Sequence, residues 1–272
     1  MPGTPFAEVI GDPIAHSKSP IIHRFWLQAL GIEADYVATR VTADGLAAHF
    51  RLRRDDPDWR GSNVTLPHKQ AVFDVVDDRA GLKTTLGALN CVFGDADGGL
   101  VGTNTDAGGF LEPLDDVPLE GKAVAVVGAG GAARAVLLAL ASRDVGSVTL
   151  LNRTPDKGRA LLNQFGLQGD AVPLDTALPP VDLLVNASSL GMVGQPPLAL
   201  DLTPLPAGAI VYDIVYAPLE TPLLAAARAR GLTTIDGLTM LIGQAALAFE
   251  IFFEAHAPRD RDAELRALLT AA

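Results

Sequence analysis

Cysteine occurs once in the 272 residues, at Cys91. A lone thiol excludes an internal disulfide framework and a cysteine zinc site, and it fits a reducing, cytoplasmic setting. No metal site of any kind is expected. Cations are scarce too: 21 Lys and Arg face 32 Asp and Glu, a net charge of −11. Nucleic-acid and anionic-membrane surfaces need clustered Lys and Arg, so neither is expected as a partner. An anionic ligand would have to be met by a few deliberately placed positive groups. The N-terminus, MPGTPFAEVIGDP, lacks a basic segment followed by an apolar one, and no signal peptide is read there. Internal repeats, low-complexity tracts, long polar linkers and coiled-coil heptads are absent as well. One stretch could imitate a membrane helix: AVAVVGAGGAARAVLLALA, residues 123–141, carries Arg134 as its single charge. Its β-branched start, glycine middle and helix-forming end read instead as strand, turn and helix.

What is present is a globular composition, 49% hydrophobic and 19% charged, on a length that fits roughly two domains. Short apolar runs alternate with helical patterns, which predicts an α/β architecture with mainly parallel sheets. FAEVIG, ADYVATRV and GSNVTL read as strands. SPIIHRFWLQALG reads as a helix opened by Ser19-Pro20 and closed by Gly31. NCVFGDADGGLVGTNTD reads as two short strands around an Asp-Gly-rich turn. After Asp106 the rhythm becomes regular. KAVAVVG, SVTLLN, VDLLVNAS and AIVYDIVY are near-continuous apolar strands, as expected where both faces of a sheet are covered. Helices are predicted over 132–142 and 221–230, and a long Ala- and Leu-rich helical stretch starts at Leu238. The expected division is residues 1–106 with 238–272 in one domain, completed by the C-terminal helices, and 107–237 in the other.

VAVVGAGGAARAVLLAL places G-x-G-x-x-A at Gly128, Gly130 and Ala133, straight after a strand and opening a helix. Gly128 permits the tight turn, Gly130 lets backbone approach a pyrophosphate, and Ala133 allows close helix–strand packing. The helix N-terminus offers unpaired N–H groups to the anion, with Ala129, Gly131 and Ala132 completing the turn. An NAD-binding unit places Asp or Glu near the end of the next strand, bonded to the ribose 2′-OH. Here that strand ends in Asn152-Arg153-Thr154, with Lys157 three residues on. A carboxylate would repel a 2′-phosphate, whereas guanidinium, ammonium and hydroxyl groups attract it. The cofactor expected is NADP rather than NAD.

NVTLPHK puts Lys69, one of only five lysines, just past an apolar strand and a proline. Alone it reads as an ordinary solvated lysine. It does not stand alone. GDPIAHSKSPIIH, NVTLPHK, GALN, GTNTD, GAGGAAR, NRT, NAS, YDIVY and DGLTMLIGQAA occur in this order along the chain. The ordered set resembles the shikimate dehydrogenase family over essentially the whole sequence. The resemblance implies an open, mainly parallel-sheet α/β substrate domain, an NADP-binding Rossmann domain, and a cleft between them. It also implies reversible NADPH-dependent reduction of 3-dehydroshikimate to shikimate, on the path to chorismate and aromatic amino acids. By the same resemblance Lys69 and Asp106 are the catalytic pair, in contact with substrate. Ser17 and Ser19 grip its carboxylate, Tyr216 lies near that carboxylate, and Thr65, Asn90 and Gln244 bond ring hydroxyls. Ile214 and Gly237 approach the nicotinamide.

Several of these residues have plainer readings of their own. Ser19 before Pro20 could simply cap a helix, and each buried amide or hydroxyl could be a satisfied structural group. His68 stands where the family carries Phe or His and need not be catalytic, and His16 is expected to pack rather than react. Cys91 replaces a usual threonine, and Lys157 stands where arginine is frequent. The nearest rival function is a quinate/shikimate dehydrogenase of dual specificity, toward which the Ser17–Ser19 pair does not lean. A rival of another class is a non-catalytic NADP- or ligand-sensing regulator, which loss of Lys69 or Asp106 would favour; both are present. The expected partner is a small molecule, with the chain a monomer or homodimer.

Overall fold

The computed structural model describes residues 3–78 and 81–271. The chain divides into two compact units, Met1–Thr105 with Gln244–Ala272, and Asp106–Gly243. It therefore crosses between them twice, after Thr105 and within one long helix.

The first unit opens with β1 (Phe6–Gly11), α1 (Ser19–Leu30) and β2 (Asp35–Arg40), followed by α2 (Leu46–Arg54) and β3 (Trp59–Val64). A short helix α3 (Leu82–Thr85) precedes the hairpin β4 (Cys91–Gly94) and β5 (Leu100–Thr103). The strand order is β2-β1-β3-β4-β5. β2, β1 and β3 run parallel, whereas β4 and β5 are antiparallel to their neighbours. The hairpin turn is closed by Asp95, whose Oδ1 accepts the N–H groups of Asp97 and Gly99 at 3.0 and 2.7 Å. One apolar layer gathers Ile10, Phe50, Trp59, Val64, Val72 and Leu89 on one face of this sheet.

The second unit contains α4 (Asp106–Leu111), β6 (Ala123–Val127), α5 (Gly131–Ala141), β7 (Ser147–Leu151) and α6 (Pro155–Phe165). It continues with β8 (Gly169–Val172), β9 (Leu183–Asn186), β10 (Ile210–Asp213), α7 (Pro222–Ala229) and β11 (Thr233–Ile235). Its six strands lie in the order β11-β10-β9-β6-β7-β8. Every pairing is parallel. Counted within the unit from β6, this is the doubly wound order 3-2-1-4-5-6, whose switch point falls between the first and fourth strands, β6 and β9. Val124, Val126, Val148, Leu150, Leu183 and Val185 face one helical layer, and Ala125, Val127, Leu151, Leu184 and Val211 face the other. Strands covered on both faces explain the unbroken apolar runs. The last helices are α8 (Gly237–Phe253), which passes from the second unit into the first, and α9 (Asp262–Ala271). Among the described residues no helix is long and apolar enough to cross a membrane.

The parallel strands of the first unit converge on a buried charge. Glu8 of β1 is fully buried. Arg53 donates to both its oxygens, at 2.7 and 3.0 Å. Thr39 and Ser62 donate at 2.5 and 3.0 Å, and the His49 ring nitrogen lies 2.9 Å away. Burial pushes the carboxyl up, but the bonds from His49, Arg53 and Thr39 outweigh it and hold the group at about 2. β1, β2, β3 and α2 are thus tied through one side chain.

A folded-state pKa below the unfolded value of 4.5 means that ionised Glu8 stabilises the protein above that pH. The contribution fades as pH falls toward about 2. Glu8→Gln should destabilise by on the order of 3 kcal/mol at neutral pH, because Arg53 loses its buried partner. Denaturant titrations at several pH values check this. The wild type should lose stability between pH 5 and 3 more steeply than the variant, and parallel curves would assign the acid sensitivity elsewhere.

Candidate functional site

In the first unit the predicted residues follow the carboxyl ends of β1 and β3. Ser17 is half-buried in the turn after β1, where its N–H donates to the Ile14 carbonyl at 3.0 Å. Ser19 is buried at the start of α1 and hydrogen-bonded to the Tyr36 phenol. It is not the helix cap: the cap position is Lys18, which makes no side-chain capping bond. His16 is exposed, so the expectation that it packs fails.

After β3, Thr65 is half-buried and its N–H donates to the Ile10 carbonyl at 3.0 Å. The Leu66–Pro67 peptide is cis. His68 is buried with its ring nitrogen 2.6 Å from the Val41 carbonyl, a structural bond rather than a reacting position. Lys69 is half-buried, and its own carbonyl accepts the Leu89 N–H at 2.8 Å. Bonds on both sides therefore fix the backbone from which the Lys69 side chain departs.

Asn90 and Gln244 are both buried, and they meet. Asn90 Nδ2 donates to Thr105 Oγ1 at 2.9 Å and to Gln244 Oε1 at 3.3 Å, while Thr105 N–H donates to Asn90 Oδ1 at 2.7 Å. Three residues of this polar layer, Thr105, Tyr36 and Asn63, were not anticipated from sequence. Tyr36 OH donates to Asn63 Oδ1 at 2.6 Å, and Asn63 Nδ2 donates to the Asn90 carbonyl at 3.1 Å.

In the second unit Asp106 is buried as the first residue of α4. Gly128 ends β6 with φ +105°, and an added Cβ would lie 3.0 Å from the Ala187 carbonyl oxygen and 3.2 Å from Ser188 Cα. Only glycine fits this turn at the switch point. Gly130 caps α5, and a Cβ there would meet nothing within 4 Å, so that side of the backbone can be approached closely. Ala129, Gly131 and Ala132 are half-buried beside it, and Ala133 is buried against the strands.

After β7, Asn152 turns its Nδ2 onto the Thr154 carbonyl at 2.8 Å, which curls the loop. Arg153, Thr154 and Lys157 are all exposed. Thr154 stands at the N-cap of α6 without spending its hydroxyl on the cap. The loop thus presents two cations, a hydroxyl and a helix N-terminus, with no carboxylate at the strand end. That chemistry fits a phosphorylated ribose, and the Gly128–Gly130 turn fits a pyrophosphate.

The ends of β9 and β10 are locked by Asn186, which is fully buried. Its Nδ2 donates to the Leu190 carbonyl and to Asp213 Oδ1, both at 2.9 Å, and its Oδ1 accepts the Ser188 N–H and hydroxyl at 3.1 and 2.7 Å. Asp213 also accepts from Val215 N–H at 3.0 Å and Thr221 Oγ1 at 2.7 Å. Burial raises the Asp213 carboxyl, against the pull of those donors. The lock fixes the segment carrying Ile214 and Tyr216, both half-buried. Gly237 opens α8 against it: a Cβ there would lie 2.2 Å from the Ile214 carbonyl oxygen. Asp236 Oδ1 accepts the Thr239 N–H at 3.1 Å and stabilises the same helix start.

Comparison with known proteins matches three stretches of the chain to family models. Residues 9–92 match the shikimate dehydrogenase substrate binding domain, and 114–190 match shikimate / quinate 5-dehydrogenase. Residues 237–264 match the shikimate 5'-dehydrogenase C-terminal domain. A protein of Sphingopyxis alaskensis named shikimate dehydrogenase (NADP(+)) is 66% identical over 98% of both chains. Among solved structures, shikimate 5-dehydrogenase from Thermus thermophilus in complex with NADP(H) and shikimate is 37% identical, with TM-score 0.83 over 97% of this chain and 99% of that one. Ligand-free 5-ketofructose reductase of a Gluconobacter strain is 31% identical, with TM-score 0.89 over 98% of this chain and 99% of that one. With identity of this extent over nearly its whole length, the chain belongs to the shikimate dehydrogenase family.

Proposed function

We propose that this protein catalyses the reversible NADPH-dependent reduction of 3-dehydroshikimate to shikimate, a step toward chorismate and the aromatic amino acids. The observation that carries the reading is the 66% identity, over 98% of each chain, to the Sphingopyxis alaskensis protein named for that activity. In this reading residues 1–106 with 238–272 form the substrate domain and 107–237 the NADP domain. The enzyme works in the cytoplasm on small molecules, as a monomer or homodimer, without nucleic-acid or membrane partners.

When bound, the dinucleotide would provide the redox chemistry, the reduced form giving a hydride and the oxidised form taking one back. The chain's own residues do the rest. Gly128 to Ala132 take the pyrophosphate on backbone N–H groups, while Asn152, Arg153, Thr154 and Lys157 take the 2′-phosphate. Ile214, on the segment that Asn186 and Asp213 immobilise, and Gly237, packed against it at the start of α8, would flank the nicotinamide. Ser17 and Ser19 hold the substrate carboxylate with Tyr216 nearby, and Thr65, Asn90 and Gln244 meet ring hydroxyls. Neutral donors and acceptors suit a polyol, and preformed bonds among Asn90, Thr105 and Gln244 spare the cost of ordering them on binding. The Lys69 ammonium gives its proton to the carbonyl oxygen as negative charge develops there, and takes it back in oxidation. The Asp106 carboxylate orients the substrate by accepting from a ring hydroxyl.

Initial rates with shikimate and with quinate, each with NADP and with NAD, test the assignment; a preference for quinate or for NAD would overturn it. Lys69→Ala should lower kcat by about 10²–10⁴-fold with a much smaller change in substrate affinity. Asp106→Asn should lower kcat as well, and the double variant should fall short of the product of the two losses. Near-normal kcat with a greatly raised KM in Lys69→Ala would make Lys69 a binding group only.

The cofactor loop gives a separate expectation. Removing a charge-assisted bond costs about 1.5–3 kcal/mol, so Arg153→Ala should weaken NADP binding roughly ten- to hundredfold. NAD binding should hardly change. Equal losses for both dinucleotides, measured by fluorescence titration, would mean that Arg153 supports the loop and not the phosphate.

A further inference from the structure

Lys18 sits between the two serines, and its side chain turns away from them. Its carbonyl accepts the N–H groups of Ile21 and Ile22 at 3.1 and 3.2 Å and so starts α1. Its ammonium crosses to the other end of the chain, where Nζ donates to the Leu269 carbonyl at 2.5 Å. That carbonyl belongs to the last turn of α9, whose final C=O groups lack intrahelical partners and carry the negative end of the helix dipole. A lysine there satisfies an orphan acceptor and the dipole together. α9 is seated on α1 independently of this bond: the Arg261 guanidinium lies 4.8 Å above the Phe25 ring, and Leu265 and Leu269 are buried. The acceptor is therefore held in place before Lys18 reaches it.

The serine turn is anchored through the buried Ile14 side chain and through few polar contacts. Ser17 N–H bonds the Ile14 carbonyl, and Ser19 N–H lies 3.3 Å from Ser17 Oγ, both within the turn itself. Beyond it, Ser19 meets the Tyr36 phenol and Lys18 meets Leu269. We infer that Lys18 is a positioning residue for substrate binding, and that its bond to the last turn of α9 holds Ser17 and Ser19 where a carboxylate is taken. The inference rests on the proposed role of those serines. It makes the C-terminal helix, 251 residues away in sequence, part of the apparatus that sets substrate affinity.

Lys18→Met keeps the aliphatic stem and removes the ammonium. KM for shikimate should rise roughly three- to tenfold, the scale of a charge held at a helix terminus. The kcat should stay within about twofold and KM for NADP should not move, since Lys69, Asp106 and the dinucleotide loops are untouched. Lys18→Arg should recover most of the loss. Thr270→Pro perturbs the other partner: the residue before a proline is driven out of helical geometry, which swings the Leu269 carbonyl while its buried side chain remains. This change alone should raise KM for shikimate, and combined with Lys18→Met it should add little. A KM that Lys18→Met leaves unchanged overturns the inference. So does an Arg variant no better than Met, or a double variant whose effects multiply in full, as they would if Lys18 touched substrate by itself. Ser17→Ala and Ser19→Ala test the underlying reading separately. If they leave KM unaltered the carboxylate assignment fails, and if they raise it while Lys18→Met does not, only the positioning role fails.

Discussion

Parallel strands end on the same edge of their sheet, and apart from Asp106, which opens α4, the residues given a chemical role follow such an end or join the polar layer built beside it. In the first unit Ser17 and Ser19 follow β1, and Thr65 and Lys69 follow β3. In the second, Gly128 follows β6, Asn152 to Lys157 follow β7, Ile214 and Tyr216 follow β10, and Gly237 follows β11. Strand direction alone gathers these loops within each sheet. It does not make them rigid, because loops at strand ends carry backbone groups that the ladder no longer pairs. Rigidity has to come from side chains.

Side-chain amides provide it in both units. Asn186 uses both of its donors and accepts two bonds, which fixes the switch-point loop and the strand end beside it. Asn63, Asn90 and Gln244 do the same for the polar wall of the first sheet. An amide can donate and accept at once and carries no charge to desolvate, so it costs less to bury than an ion. Two buried carboxylates are heavily satisfied: Glu8 by Arg53, Thr39 and Ser62, with His49 beside it, and Asp213 by Asn186, Val215 and Thr221. The first ties the strands of the substrate unit together, and the second steadies the segment after β10.

The sequence makes some of this legible, for physical reasons. β6, β7, β9 and β10 are covered on both faces, and their unbroken apolar runs announce them. The glycine turn is legible because Gly128 has no room for a Cβ. β8 and β11 are short, partly exposed edge strands with polar residues, and no alternation marks them. FAEVIG reads as a strand, but nothing in it marks Glu8 as buried; its burial depends on Arg53, 45 residues later, which no local pattern reveals. Asn186 opens the NAS motif, yet its hub role needs Asp213, 27 residues on. Position within a strand is a local property, and the partner of a buried polar group is not.

The scarcity of cations gives the lysines unusual meaning. Lys83 and Lys122 pair with Asp74 and Asp182 in half-exposed contacts, which contribute little. Lys157 stands exposed in the loop after β7, Lys18 secures the serine turn to α9, and Lys69 lies half-buried after β3. Both proposed ligands are anions, and the protein as a whole repels them at a net charge of −11. That repulsion is screened over about 8 Å at physiological ionic strength, so groups within contact distance decide binding. Serine hydroxyls and backbone N–H groups at helix starts attract an anion without drawing in the surrounding carboxylates as salt-bridge partners. A free lysine in so acidic a chain would find such a partner readily. In the proposed function, neutral donors hold the carboxylate, and a lysine already committed to the last turn of α9 steadies them.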